Sequence, residues 1–330
     1  MNVFVAGGTG AIGVPLVRAL VAGNHRVFAT TRARDKISMI RSLGATPVVV
    51  DALDAAALEK AVREAAPTHV IHQLTALPKS GPRRASDLRP TNRLRDEGTR
   101  HLLNAAIAAG AQRIVIGSFA LIRAAQTMTR IDPEITRAAD AVESMESQAL
   151  DATRRGDIES IVLRYGLFYG RGNAATEEMI ALARKRWLPR VRHDRGQLPW
   201  IHLDDAAMAT LAALEHGRSG GVYDIVDDRP ASFSDIVAEL AVITGARPPF
   251  SVPSWMMQLT MPYLSRMFAL QLPLSNRDAR RELGWAPRFP SYREGLRAAV
   301  HSSSFSVPVP RSGSRFEVRS SGTSQLDAER

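Results

Sequence analysis

Over the first half of the chain, short apolar runs rich in β-branched residues alternate with longer stretches of helical periodicity. The runs at 3–6, 26–30, 46–50, 69–72, 113–117 and 160–164 predict strands. Helical patterns begin between them near Ala11, Asp35, Asp54, Ser86 and Pro133. The clearest helix precedes the fifth strand: Leu94, Leu102, Leu103, Ala106 and Ile107 recur at helical spacing and Gly110 ends it. Such alternation predicts a parallel sheet, and right-handed crossovers put its helices on both faces. After Gly170 the pattern loosens, and 171–200 is rich in Arg and Pro. The stretch 200–226 reads as a return to the sheet, with Asp204 and Asp205 opening a helix and a strand at 222–226. Trp255, Met256, Met257, Tyr263 and Phe268 mark a small helical lobe within 231–300. Residues 301–330 are mostly Ser, Arg, Gly and Pro, which predicts a disordered tail. The expected fold class is α/β: a doubly wound parallel sheet from 1–170, rejoined by 201–230, and a mostly helical C-terminal lobe from 171–200 and 231–300.

The composition is that of an ordinary globular protein, with 45% hydrophobic and 23% charged residues. It contains no cysteine, which removes disulfides, thiolate zinc sites and cysteine nucleophiles and suits a cytoplasmic location. A net charge of +10 attracts polyanions in general. Its basic residues are scattered, however; the longest cluster is Arg184-Lys185-Arg186, loosely extended by Arg190, Arg192 and Arg195. No helix-turn-helix, zinc or aromatic RNA-binding signature stands beside it, so no nucleic-acid partner is expected and a solvated face or a phosphorylated ligand is the simpler reading. The first strand is expected from Asn2, leaving no signal peptide ahead of it. Gln258, Pro262, Ser265 and Arg266 interrupt the apolar segment 255–272, so no membrane span is expected there.

The strongest chemical signal is GGTGAIG at 7–13. An apolar strand runs into Gly7, Gly8, Thr9, Gly10, Ala11, Ile12 and Gly13, and a helical pattern follows. Glycines spaced by three let backbone N–H groups approach a pyrophosphate without obstruction, while the helix N-terminus adds partial positive charge. A dinucleotide site is the reading, against a merely structural turn. At the end of the second strand, Thr30-Thr31-Arg32-Ala33-Arg34 offers no carboxylate for ribose hydroxyls before Asp35. Thr31, Arg32 and Arg34 suit a 2′-phosphate instead, which favours NADP(H), with NAD(H) as the alternative. Solvated arginines and weak selectivity are the competing reading.

With these motifs in place, the chain resembles the extended short-chain dehydrogenase/reductase group, the NAD-dependent epimerase/dehydratase family, over roughly residues 1–300. The resemblance rests on GGTGAIG at 7–13, Asp51, HVIHQLTAL at 69–77, EGTRHLLNAA at 97–106, RIVIGS at 113–118, VLRYGLFYGRG at 162–172, IHLDDAA at 201–207 and RELGWAP at 281–287. It implies a Rossmann-type domain with a small substrate lobe, and it adds Asp51, Ala52, Leu74, Thr75, Asn92 and Tyr165 to the cofactor-binding set. As a lone acid, Asp51 could equally cap the next helix with Asp54.

The resemblance also implies a proton relay: a Tyr, a Lys four residues later, and an assisting Ser or Thr and Asn. Between Ser118 and Ile161 there is neither a Tyr nor a Lys. If Glu146 matches the acidic residue that follows the pair, Ala138 and Val142 fill the two positions. Arg95 stands for the Asn, and Phe119 for the assisting hydroxyl with Ser118 one place early. Leu167 and Leu198 replace polar residues that hold nucleotide-linked sugars, which points to a small or weakly polar carbonyl or hydroxyl substrate. Trp255, Met256, Met257, Phe268 and Leu272 are candidates to line its pocket, or are plain core.

Replacement acids are Tyr165 first and His202 second, with Ser118 assisting. A hydrogen-bonded structural role is the alternative for His72 and His202, and helix capping for Asp204 and Asp205. No metal-ligand cluster or hydrolase elbow is visible. Two functions follow: an NAD(P)-dependent oxidoreductase or epimerase-like enzyme, or a catalytically impaired dinucleotide sensor. A homodimer is compatible with either.

Overall fold

The computed structural model describes residues 1–79, 81–121, 124 and 133–301. The first half runs β1 (Asn2–Ala6), α1 (Gly13–Ala22), β2 (Arg26–Thr31), α2 (Ile37–Ser42), β3 (Thr46–Val49), α3 (Ala55–Ala65), β4 (His69–His72), α4 (Arg89–Arg93), α5 (Thr99–Ala108), β5 (Arg113–Phe119), α6 (Pro133–Arg154) and β6 (Glu159–Tyr165). The second continues with β7 (Leu167–Tyr169), α7 (Ala174–Arg184), β8 (Arg190–Val191), β9 (Trp200–His202), α8 (Leu203–His216), β10 (Val222–Ile225), α9 (Phe233–Ile243), β11 (Ser251–Val252), α10 (Ser254–Thr260), α11 (Pro262–Phe268), α12 (Arg277–Leu283) and α13 (Tyr292–His301).

Seven strands form one sheet in the order β10-β6-β5-β4-β1-β2-β3, every neighbouring pair parallel. This is the doubly wound Rossmann arrangement, whose strand order reverses between β1 and β4 and opens a crevice at the strands' carboxyl ends. The central strands are buried on both faces, which is why they read as apolar runs rather than alternations. Val3 and Val5 face a core shared with α1 and α8; Phe4 and Ala6 face another shared with α3, α5 and α6. Local chemistry fixes several ends: Asp54 accepts from the Ala57 N–H to start α3, and Ser232 with Asp235 forms a capping box on α9.

Strand and helix starts fall within a residue or two of the sequence expectation, except where 3₁₀ turns precede α2 and α4. Residues 200–226 depart partly from it: β10 joins the main sheet, but β9 pairs with β7 outside it. The lobe has its own core of Leu198, Trp200, Phe233, Ile236, Leu240, Tyr292 and Leu296, with Phe268 stacked on Phe233 at 4.1 Å between centroids. The segment expected wholly in that lobe is divided: Ala279, Leu283 and Trp285 pack into the α1–α8 side of the sheet instead. Apolar side chains spaced along α12 find their partners on α8 and β10, which sequence spacing cannot specify. Of the aromatic and methionine set, Met257 is buried whereas Trp255 is exposed. Among the described residues, no helix is long and apolar enough to cross a membrane. Of the tail expected at 301–330, His301 instead closes α13, and 302–330 lie outside the described residues.

Candidate dinucleotide and substrate site

The turn after β1 leaves no room for side chains where backbone must pass. Gly7 has φ +94°, and a Cβ there would lie 2.5 Å from the Gln73 carbonyl oxygen. One on Gly8 would lie 2.6 Å from the Ala29 Cβ, and one on Gly13 only 2.2 Å from the Gly7 oxygen. The Gly7 N–H donates to Thr30 Oγ1 at 2.9 Å, and the Gly10 N–H closes the turn on the Gly7 carbonyl at 3.1 Å. Outward the turn is open: Gly10 and Ala11 are exposed, Thr9 is half-buried, and Ile12 anchors the turn in the core. The start of α1 has no side-chain cap and no acid in its first turn, so its N–H groups remain available to an anion. This turn, open at Gly10 and Ala11 and uncapped at the start of α1, fits a dinucleotide pyrophosphate.

Beyond β2, Thr31 is buried and its Oγ1 accepts from the Ala33 N–H at 3.1 Å. Arg32 and Arg34 are exposed on the loop that follows. Asp51 is exposed, one oxygen accepting from the Leu53 N–H at 3.0 Å, while Asp54 rather than Asp51 caps α3. Ala52 is buried, and its carbonyl accepts from His101 Nδ1 at 3.0 Å. Leu74 and Thr75 leave the carboxyl end of β4, half-buried and exposed respectively. Asn92 is half-buried on α4.

The expected acids are enclosed. Tyr165 ends β6 at 2% exposure; its oxygen accepts from Gln73 Nε2 at 3.0 Å and lies 2.7 Å from Thr210 Oγ1. Thr210 itself donates to the Ala206 carbonyl at 2.7 Å, so Tyr165 is the donor in the shared bond. Burial raises the phenol's pKa well above its usual value, and these two hydrogen bonds only partly offset that. His202 is 3% exposed, and its Nδ1 accepts from the Asp204 N–H at 3.2 Å, capping α8. Its proton is therefore on Nε2, which is buried without a partner. Burial, with the nearby Arg288 charge, lowers the ring's pKa to about 4, so it is neutral at pH 7. Ser118 donates to Glu146, whose carboxylate also holds Arg164, with Nε 2.9 Å from Oε1. His72 is likewise buried and bonded, to the Thr99 hydroxyl at 3.0 Å.

Asp204 and Asp205 do not cap α8, since His202 does. Asp205 instead accepts from the Arg288 and Phe289 N–H groups at 2.9 and 3.0 Å, and burial pushes it up to about 6. Tyr169 donates to Asp227 at 2.8 Å. Thr210 and Asp227 escaped the sequence reading; a lone hydroxyl within the alanine-rich α8 was the one available signal for Thr210. Ala138 and Val142 lie buried on α6, Val142 within the apolar core, and neither carries a proton to exchange.

Residues 3–226 match the model of the NAD dependent epimerase/dehydratase family. The chain is 35% identical over 308 residues to the 3-diazoavenalumate denitrifying reductase of a Streptomyces species, covering 90% of this chain and 99% of that protein. It is 27% identical over 248 residues to the ceramide reductase of Caulobacter vibrioides, covering 74% and 71%. Among solved structures, the UDP-glucose 4-epimerase of Thermus thermophilus in complex with NAD superposes with a TM-score of 0.70 at 22% identity, covering 91% of this chain and 98% of that one.

Proposed function

Because the chain belongs to the NAD-dependent epimerase/dehydratase family, we propose that it is an NADPH-dependent reductase of a small, weakly polar substrate whose reduction needs no proton from the enzyme. The observation that carries this reading is the apolar relay position: Ala138 and Val142 are buried on α6, and Tyr165 and His202 are enclosed. Hydride addition to a simple carbonyl builds alkoxide charge that a positioned acid must quench. The reduced dinucleotide supplies hydride, and an already cationic carbon accepts it without an acid, as when R–N₂⁺ and H⁻ give R–H and N₂. The Streptomyces relative, named as a denitrifying reductase of a diazo compound, supports that class of acceptor.

In this reading the protein's residues bind and orient rather than exchange protons. Gly7, Gly8 and Gly13 let the turn pack tightly, Gly10 faces the pyrophosphate, and α1 meets it with its N-terminal amides. Arg32 and Arg34, exposed beyond β2, take the 2′-phosphate and set the preference for NADP(H). Tyr165 braces β6 against α8 and His202 caps the start of α8.

The test is to titrate the protein with NADPH and NADH by fluorescence, then follow absorbance at the nicotinamide band with aryl diazonium salts beside simple ketones and aldehydes. Turnover of diazonium but not carbonyl acceptors is expected. Carbonyl turnover at comparable rates overturns the acid-free reading, and nucleotide binding without turnover of any acceptor favours a dinucleotide sensor.

A further inference from the structure

Arg95 is a buried cation beside which, among the described residues, no carboxylate stands. It sits in a single widened π turn, Leu94–Gly98, between α4 and α5, at 9% exposure. A guanidinium carries five N–H donors. Among the described residues its one hydrogen bond goes to Asn92 Oδ1 at 3.4 Å. The carboxylates that follow it in sequence are engaged elsewhere: Asp96 accepts from Ser144 at 2.8 Å, and Glu97 from Arg93 at 3.0 Å. Burying a charge without a counter-charge is costly, so a fold that keeps one stores a binding capacity there.

Its surroundings locate that capacity. Thr99, one helical turn after Arg95, is bonded to His72 at the carboxyl end of β4 at 3.0 Å, and the Arg95 charge acts on His72 and on Tyr263 of lobe helix α11. The guanidinium therefore lies between the crevice edge of the sheet and the lobe, where open α/β sheets receive their ligands. Burial lowers its pKa only to about 10, so it is charged at neutral pH.

We infer that Arg95 anchors a carboxylate of the substrate, in the crevice between β4 and α11. One guanidinium matches one carboxylate in charge and fork geometry, whereas a phosphate dianion would remain half-neutralised. The phenol of half-buried Tyr263 is a second donor on the lobe side. This inference rests on the reductase reading for its substrate but not on the acid-free step.

The experiment compares benzoate, 4-hydroxycinnamate and hexanoate with their primary amides, by calorimetry on the full chain with and without NADP⁺, in wild type, Arg95→Gln and Arg95→Met. Wild type is expected to bind at least one carboxylate roughly ten- to a hundredfold tighter than its amide. Arg95→Gln is expected to lose that preference while its NADPH affinity stays within about threefold. Unliganded Arg95→Met should melt no lower than wild type, because an unpaired buried charge has gone. The inference is overturned by a preference that survives Arg95→Gln, by wild type showing none, or by both variants failing to fold or melting well below wild type, which marks a structural cation. Loss of NADPH binding in Arg95→Gln without loss of carboxylate preference assigns the residue to the cofactor and also overturns it. Failure of wild type to bind any nicotinamide nucleotide overturns the reductase reading instead, and carboxylate preference measured without nucleotide keeps the two failures apart.

Discussion

The Tyr165 hydroxyl donates to Thr210 Oγ1 at 2.7 Å across the interface between β6 and α8, and that proton has no second path outward. Gln73 supplies the hydroxyl's incoming hydrogen bond at 3.0 Å. In the proposed reading the phenol is a strut. Tyr165→Phe strands one buried amide donor and is expected to cost about 1–2 kcal/mol in denaturant unfolding. Its turnover should stay within about threefold of wild type. Abolished turnover in a folded variant would return Tyr165 to the role of acid.

Two glycines of the same turn should behave differently. A Cβ on Gly13 would meet the Gly7 oxygen at 2.2 Å and Gly8 backbone at 2.8 Å, so Gly13→Ala should destabilise the domain by several kcal/mol, on the order of other overpacked cores. At Gly10 the nearest atom is the Gly7 oxygen at 3.3 Å, and the position is exposed. Gly10→Ala should leave the melting temperature within a few degrees yet weaken NADPH binding by about tenfold or more. Equal effects on stability would remove the distinction between packing glycine and ligand-facing glycine.

Arg32 is exposed beyond the buried Thr31, at the carboxyl end of β2, the same end at which the glycines follow the parallel β1. If it reads a 2′-phosphate, Arg32→Ala should raise the Kd for NADPH about ten- to a hundredfold and leave that for NADH nearly unchanged. Equal losses for both nucleotides would refute the assignment, and the paired titration reads it directly.

His202 gives the protein a pH dependence of definite sign. Its pKa is lowered by burial to about 4 in the fold, below the 6.5 of a free imidazole, so the unfolded chain binds the proton more readily. Its contribution is complete above pH 6.5 and is lost as pH falls toward 4. Asp205, raised to about 6, acts in the opposite sense, which makes the wild-type profile a composite. His202→Asn keeps an acceptor for the Asp204 N–H and removes the titration. Relative to wild type, the variant should gain about 3 kcal/mol between pH 7 and pH 4 in unfolding measured at both pH values. A pH-independent difference between the two proteins would show that His202 is not titrating in this window.

What is encoded locally was legible without coordinates. β-branched runs, glycines at fixed spacing and Asp54 or Ser232 at helix starts act over a few residues, so the sheet, the cradle and most element ends follow from them. The missing Tyr and Lys were equally plain, since absence within a window needs no third dimension. Other features depended on residues distant in sequence. Tyr165 meets Gln73 and Thr210 across 92 and 45 positions, which converts an apparent acid into a strut. Asp205 ties down 288–289 instead of capping its own helix, and α12 leaves the lobe for the sheet. Arg95 shows in the sequence only as a cation where the resemblance implies an Asn; packing is what withdraws water from it. Sequence specifies what each group is able to donate or accept; only the tertiary fold decides its partner and the dielectric around it, and those two quantities set its chemistry.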